Sequence, residues 1–239
     1  IFDLSSKLQL CDAAFYSDKT IHNHGQIQTQ GALLFDAKYY EGSGSHIQLN
    51  ESVDPSIKNP SIVSIKADSI DLTGQINHKR LLLETDSLVD MQALIEGKKV
   101  YQNINVSEWL GVKTSNQLTL HDINQNKDLY VESAAIHVLG DVHDEGHQLE
   151  FKSSQGDVVF SGGHVQAKTL YVDSQGKIIN YDQMNLSQDC VLRSTSAFIN
   201  YAGDIKSKAH LDIDASKITL MTKNSNLAKQ QSALKKSAM

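Results

Sequence analysis

The sequence predicts an all-β protein that folds as a right-handed parallel β-helix, a solenoid of stacked coils with about 20 residues each. A five-residue pattern of apolar, variable, apolar, polar and small residues recurs, and successive copies start 20, 21, 20 and 21 residues apart. This alternation is typical of a short strand that ends at a turn. The copies are LYVES (129–133), LEFKS (149–153), LYVDS (170–174), CVLRS (190–194) and LDIDA (211–215).

Two further apolar segments follow each copy, so that every coil contains about three short strands. A strand of three to five residues cannot bury its apolar face alone, whereas coils stacked about 4.8 Å apart align their equivalent positions. The second segments are 136–139, 158–160, 178–181, 198–201 and 218–220, and the third, weaker positions are Val142, Val165, Leu186 and Ile205.

Stacking at this repeat predicts specific columns of side chains. A β-sandwich also explains the strand lengths, but it does not explain why the same residue types recur at a spacing of 20 or 21. The predicted columns are Leu129, Leu149, Leu170, Cys190 and Leu211; Val131, Phe151, Val172, Leu192 and Ile213; the corner serines Ser133, Ser153, Ser174 and Ser194; Asn180 over Asn200; and Tyr181 over Tyr201.

The pattern divides the chain into three parts. The pattern predicts β-helix coils over residues 61–223. One of these coils starts at LETDS (83–87) and continues to Ile95, and another contains a small insertion within 104–128. Residues 1–60 fit the repeat poorly and are expected to form irregular N-terminal coils and loops. Residues 224–239 are rich in helix-forming Ala, Lys, Gln and Leu, which predicts a capping helix or a flexible tail.

Composition limits the possible partners. A net charge of −6, from 22 basic and 28 acidic residues, gives no reason to expect binding to nucleic acid. No apolar run approaches the roughly 18 residues of a membrane-spanning helix. The chain begins at Ile1 without a signal peptide, so we expect it to be a piece of a longer protein. Two cysteines, Cys11 and Cys190, do not define a disulfide framework.

Two histidine-containing phrases are weak candidates for a metal site. In LGDVHDEGH (139–147), His143, Asp144 and His147 could ligate zinc or nickel, but the phrase falls where one coil must turn into the next. In HNHG (22–25), two histidines two positions apart on a strand face the same side. We expect a solvent-facing turn for the first phrase, and we predict no metal site, no catalytic residue and no cofactor.

Many β-helices cleave polysaccharides, and such enzymes need converging acids in a groove. Asp173 beside Arg193 is the best candidate pair. Both fall in an outward column of alternating charge, which surface ion pairs between neighbouring strands also explain. The column consists of Glu132, Lys152, Asp173, Arg193 and Asp214. Cys190 lies in the leucine column, where a thiol acts as a small apolar group rather than a nucleophile.

The repeats resemble those of filamentous haemagglutinin-like proteins, the exported two-partner-secretion adhesins and toxin carriers of Gram-negative bacteria. The phrases KTLYVDSQGKIINYDQMNL (168–186) and DLYVESAAIHVLGDV (128–142) carry the resemblance, which covers roughly residues 61–220. It implies a secreted or cell-surface protein, associated with virulence, that serves as a stalk or binding surface without catalysis of its own.

The leading hypothesis is therefore a non-catalytic β-helical binding or stalk module. Long loops, expected within 11–60 and 97–128, would contact a host or cell-surface protein or a glycan. The first alternative is a carbohydrate-active β-helix enzyme, either a glycoside hydrolase or a polysaccharide lyase. The second is a secreted effector that uses the solenoid as a scaffold for a host protein. No nucleic acid and no transmembrane segment are expected in any of the three cases.

Overall fold

A computed structural model describes residues 1–49, 61–86, 91–95, 102–201 and 203–221. These residues form strands almost throughout, with one short helix. In chain order they are β1 (Phe2–Leu4), β2 (Lys7–Leu10), β3 (Ala13–Asn23), β4 (Gln26–Thr29), β5 (Ala32–Glu41), β6 (His46–Leu49), β7 (Ile62–Asp71), β8 (Gln75–Glu84), α1 (Met91–Ile95), β9 (Ile104–Lys113), β10 (Leu118–Asn124), β11 (Asp128–Ser133), β12 (Ile136–Ser153), β13 (Val158–Ser161), β14 (His164–Ser174), β15 (Ile178–Asn180), β16 (Gln183–Leu186), β17 (Cys190–Tyr201), β18 (Ile205–Ser207) and β19 (Leu211–Met221).

The chain is a parallel β-solenoid of about 10 turns, which confirms the predicted fold class. Strands about 20 residues apart pair in parallel, as β14 pairs with β17 and β17 with β19. The right-handed sense of the coils stays a prediction. Two compact units divide the chain, residues 1–115 with 127–130 (unit 1) and residues 116–126 with 131–239 (unit 2).

The predicted apolar columns are confirmed in unit 2. Leu149, Leu170, Cys190 and Leu211 are successive register partners. The first three are fully buried. Burying each large aliphatic side chain stabilises the fold by roughly 1.5–3 kcal/mol, so the columns hold neighbouring coils together. Two further columns also consist of successive register partners. They are Phe151, Val172, Leu192 and Ile213; and Ile136, Val158, Ile178, Phe198 and Ile218.

One position of the third column differs from the prediction. Val165 pairs with Met184, and Met184 with Ile205, whereas Leu186 lies two residues farther along the same strand. Both Met184 and Leu186 are buried. Because alternate residues of a strand share a face, either residue satisfies the apolar pattern, and the sequence pattern alone does not select between them.

The predicted polar ladders are also confirmed in unit 2. Asn180 donates to the Asn200 side chain over 2.8 Å. The Tyr181 and Tyr201 rings stack with their centroids 4.7 Å apart. At the corner, the Ser153 and Ser174 hydroxyls are 3.0 Å apart. Such serines also donate to turn carbonyls, as Ser153 does to Gly156, so the buried hydroxyls and the turn backbone satisfy each other.

Aspartates at turns, together with Asp122 and Asp141 at the irregularity between β10 and β12, form a further link between coils. Each accepts a hydrogen bond from a backbone N–H of the neighbouring coil, which holds the two coils in register. The pairs are Asp12 with Ala32 N at 2.6 Å, Asp86 with Ser115 N at 2.7 Å, Asp122 with Asp141 N at 2.9 Å, Asp141 with His164 N at 2.8 Å, Asp157 with Lys177 N at 2.7 Å and Asp189 with His210 N at 3.2 Å.

Unit 1 is built in the same way but contains longer coils. Leu33, Val63, Leu81 and Leu110 form one buried column. The first step covers 30 residues and the last covers 29, compared with 20 or 21 in unit 2. The expectation that residues 83–95 continue as strands is wrong at 91–95, which form α1. This helix precedes β9, and the small insertion expected within 104–128 stays a prediction.

Residues 1–49 are more regular than the sequence suggests. They contain six strands, and those strands align with later strands in parallel register, as Phe15 does with Phe35 and Phe35 with Ile65. The described residues of 11–49 and 102–128 therefore lie mainly in strands rather than in the long loops expected there. The parts of the expected loops at 50–60 and 97–101, and the predicted capping helix or flexible tail at 224–239, lie outside the described residues.

We expect Leu170→Asp to unfold the chain cooperatively, because it places a carboxylate in a fully buried column. The loss should exceed the roughly 2–5 kcal/mol that Leu→Ala substitutions cost in a core. Urea denaturation followed by circular dichroism measures it. Lys168→Asp, on the exposed face of the same strand, is the matched control. Equal stability of the two variants would show that the column register is wrong.

Candidate functional site

The phrase 139–147 belongs to a strand rather than to the predicted turn. Strand β12 runs through it, and its register against β14 shifts between Asp144 and Gln148. A β-bulge of this kind bends a strand without ending it. His143 Nδ1 lies 2.8 Å from the Gln166 side chain. His147 Nδ1 lies 2.7 Å from the buried Asp144 carboxylate. The fold therefore brings Asp144 and His147 together, while His143 contacts a different partner.

The other histidine phrase gains a third residue from the next coil. Among the residues that the structure describes, one group of three metal-ligating side chains has ligand atoms within 4.8 Å of one another, and it consists of His22, His24 and Glu41. His22 Nδ1 lies 2.5 Å from the Glu41 carboxylate. Sequence reasoning found the two histidines but missed Glu41. The only available signal was the register, which places Glu41 opposite His22.

The predicted column of alternating charge is present on the outward face of unit 2. Lys152, Asp173, Arg193 and Asp214 are successive register partners. The Lys152 ammonium also lies 3.8 Å from the Glu132 carboxylate. Because opposite charges alternate along the column, each ion faces at least one opposite charge on a neighbouring strand.

A shallow depression of about 370 Å³ lies beside this column. Its volume is within the range of small-ligand sites, which is about 300–1,000 Å³. Burial raises the pKa of the Glu150 carboxyl, and the nearby Lys152 ammonium lowers it while Asp173 raises it. The lining includes Gln148, Glu150, Tyr171, Asp173, Val191 and Arg193. Asp173 and Arg193 were predicted to lie together, whereas Glu150 was missed as a partner.

The two cysteines differ in environment. Cys190 is fully buried, and burial raises the pKa of its thiol to about 12. The thiolate needed for nucleophilic attack is therefore strongly disfavoured, in agreement with a packing role. Cys11 is exposed, and both cysteines are free thiols.

Asp182 is a buried carboxyl that sequence reasoning missed. One of its oxygens accepts a hydrogen bond from the Gly163 N–H over 3.1 Å, and the other is buried without a hydrogen-bond partner. Burial raises the pKa of this carboxyl, whereas the N–H groups of Gly163 and Gly162 lower it. The nearby His164 and Asp141 lie 3.4 Å apart at the surface. Asp182 directly follows Tyr181 in the sequence and belongs to none of the predicted columns.

No protein-family model, curated protein or solved structure matches this chain. The resemblance to haemagglutinin-like adhesins therefore stays a prediction, and it depends on the repeat pattern alone. In the described part of the chain, no helix has the length and hydrophobicity that crossing a bilayer requires.

We expect the substitution Asp182→Asn to become more stabilising, relative to wild type, as pH rises. A carboxyl whose pKa is raised by folding stabilises the fold most below its unfolded-state pKa, and that contribution is lost as pH rises through the folded-state pKa. The difference in unfolding free energy, variant minus wild type, should thus be more positive at pH 7 than at pH 3. Denaturant titrations at both values measure it. Asp212→Asn, which removes an exposed carboxylate, controls for the loss of one charge.

Proposed function

We propose that this chain is a non-catalytic β-solenoid module of an exported bacterial adhesin- or haemagglutinin-like protein, which serves as a stalk and binds a cell-surface glycan through an outward strand face. The observation that carries the proposal is the depression beside the charged column of unit 2. Export and the adhesin class rest on the resemblance of the repeats. The regular strands of 11–49 and 102–128 shift the proposed binding surface from loops to a strand face.

The lining of the depression suits a polar ligand with many hydroxyl groups. The Tyr171 ring supplies an apolar face, and its hydroxyl can both donate and accept hydrogen bonds. The Arg193 guanidinium donates from five N–H groups in fixed geometry, while the Asp173 carboxylate only accepts. Strand pairing holds these groups on adjacent coils, since Asp173 and Arg193 are register partners and Tyr171 lies two positions before Asp173, on the same face of its strand. Rigid support of this kind lowers the entropic cost of binding.

The column supplies the hydrogen-bonding groups that a glycan-binding surface needs. Lys152 and Arg193 lie on either side of Asp173, so donors and an acceptor alternate along one outward face. Binding needs only this arrangement, whereas cleavage also needs two carboxyls in different protonation states, one as acid and one as base or nucleophile.

A carbohydrate-active enzyme is the second candidate, and Glu150 is the observation that favours it. Burial raises the pKa of this carboxyl, as expected for a general acid, and Asp173 lines the same depression. Under this hypothesis Glu150 would protonate the leaving oxygen and Asp173 would act as base or nucleophile.

A glycan array followed by mass spectrometry of the bound glycan distinguishes the two candidates. We expect the wild-type chain to retain intact glycans, and we expect Tyr171→Ala and Arg193→Ala to weaken binding by about 10-fold, equivalent to roughly 1.4 kcal/mol. Tyr16→Ala, which removes an exposed ring of unit 1, should bind like wild type.

Each other outcome has a defined meaning. Shortened glycans whose formation is abolished by Glu150→Gln would establish the enzyme. Binding that Tyr171→Ala and Arg193→Ala leave unchanged would place the ligand elsewhere, and no binding to any glycan would contradict the proposed ligand class.

A further inference from the structure

His22, His24 and Glu41 are brought together in unit 1 by a specific irregularity of the strands. His22 lies near the end of β3 and His24 directly follows it, so the two imidazoles are on the same side of the strand. Strand β3 pairs with β5 at an offset of 20 residues up to Ser17 and at an offset of 19 from Thr20 onwards. This shift is a β-bulge, and it places Glu41 opposite His22.

The three side chains have the spacing of metal ligands. Their ligand atoms lie within 4.8 Å of one another, and the two imidazole rings are nearly parallel with centroids 5.9 Å apart. Tetrahedral zinc, with ligands at about 2.0–2.2 Å, needs ligand atoms about 3.3–3.6 Å apart. The His22–Glu41 contact of 2.5 Å is shorter, as expected while a proton bridges the two atoms. A metal ion would replace that proton and separate the two atoms by about 1 Å.

His24 has its tautomer fixed by the neighbouring coil. Its Nδ1 lies 2.5 Å from the Ser43 carbonyl oxygen, which can only accept a hydrogen bond. Nδ1 therefore carries the proton and donates it, and the lone pair is left on Nε2. Metal-binding histidines are commonly held in this way, with one ring nitrogen donating to a carbonyl and the other on the metal. Ser43 follows Glu41 by two positions. The same short segment therefore supplies the Glu41 ligand and orients the His24 ring.

The surrounding charges favour a cation. Asp3 is the register partner of His22 on one side, and Asp71 is the register partner of Glu41 on the other. The outward column thus reads Asp3, His22, Glu41, Asp71, with carboxylates on both flanks of the histidine–glutamate pair. The His22 and Glu41 side chains are 28% and 42% exposed, so an ion can enter from solvent and a water molecule can complete its coordination.

We propose that His22, His24 and Glu41 bind one divalent transition-metal ion, with Zn²⁺ as the best match to two imidazoles and one carboxylate. Other histidine–carboxylate pairs in the described residues lack the second imidazole. His210 with Asp189 at 3.1 Å and His164 with Asp141 at 3.4 Å each offer one ring and one carboxylate. Two ligands rarely hold zinc, whereas three protein ligands and a water form a familiar site.

Isothermal titration calorimetry of the chelator-treated full chain with Zn²⁺ tests the proposal. We expect one zinc ion per chain for wild type, and at least about 10-fold weaker binding for His22→Ala, His24→Ala and Glu41→Gln, because losing even an indirect contact to a metal ligand costs about 10–100-fold. His210→Ala is the matched control, since it removes an exposed histidine that also pairs with a carboxylate. It should bind zinc like wild type.

Zinc-dependent melting temperature provides a second readout that does not depend on the heat of binding. Zinc should raise the melting temperature of wild type and of His210→Ala but not that of His24→Ala, while the metal-free proteins melt alike because His24 is exposed. Absence of zinc binding by wild type would overturn the proposal and leave His22–Glu41 as a simple ion pair. Zinc binding unaffected by the three substitutions, or lost equally in His210→Ala, would overturn it as well. The glycan proposal is independent, since it concerns unit 2.

Discussion

Parallel backbone pairing between residues about 20 positions apart is the constraint on which the rest of this structure depends. Each strand is too short to bury its apolar face alone, so it is stable only when the next coil covers the same positions. Leu149, Leu170 and Cys190 show the result, because a single register stacks all three and buries each of them completely. A slip of one residue would turn the whole apolar set towards solvent. The core and the register therefore specify each other.

Polar groups at the turns hold this register, since apolar packing alone tolerates small shifts along the stacking direction. Corner serines join a coil to its own turn and to the next serine, as Ser153 does with Gly156 and Ser174. Turn aspartates accept a backbone N–H from the neighbouring coil, as Asp157 does from Lys177. Both contacts satisfy backbone groups that would otherwise be unpaired where a strand ends. The coil can then vary in length at its corners, as it does at α1, while the strands keep their alignment.

The same register that builds the core also arranges the outward surface. In unit 2 it aligns Lys152, Asp173 and Arg193 into a ladder beside the depression. In unit 1 it places a carboxylate opposite one of two histidines. A solenoid of this kind assembles a polar constellation from residues of the same column, one coil apart, rather than from a loop. For this reason a contiguous phrase such as 22–25 supplies only part of a site, and a residue about one coil length away supplies the rest.

The sequence by itself determined the repeat, the strand positions and the buried columns of unit 2, because burial demands apolar side chains at fixed intervals and that demand is visible as periodicity. It also placed Asn180 over Asn200 and Asp173 beside Arg193. Only the tertiary structure decided which outward residues meet where coil lengths change. Without the bulge in β3, an offset of 20 would place Gly42 rather than Glu41 opposite His22. Bulges and insertions leave no periodic signature, since they depend on turn geometry and on contacts between coils rather than on burial. The sequence therefore specifies the core of this protein more completely than it specifies its candidate sites.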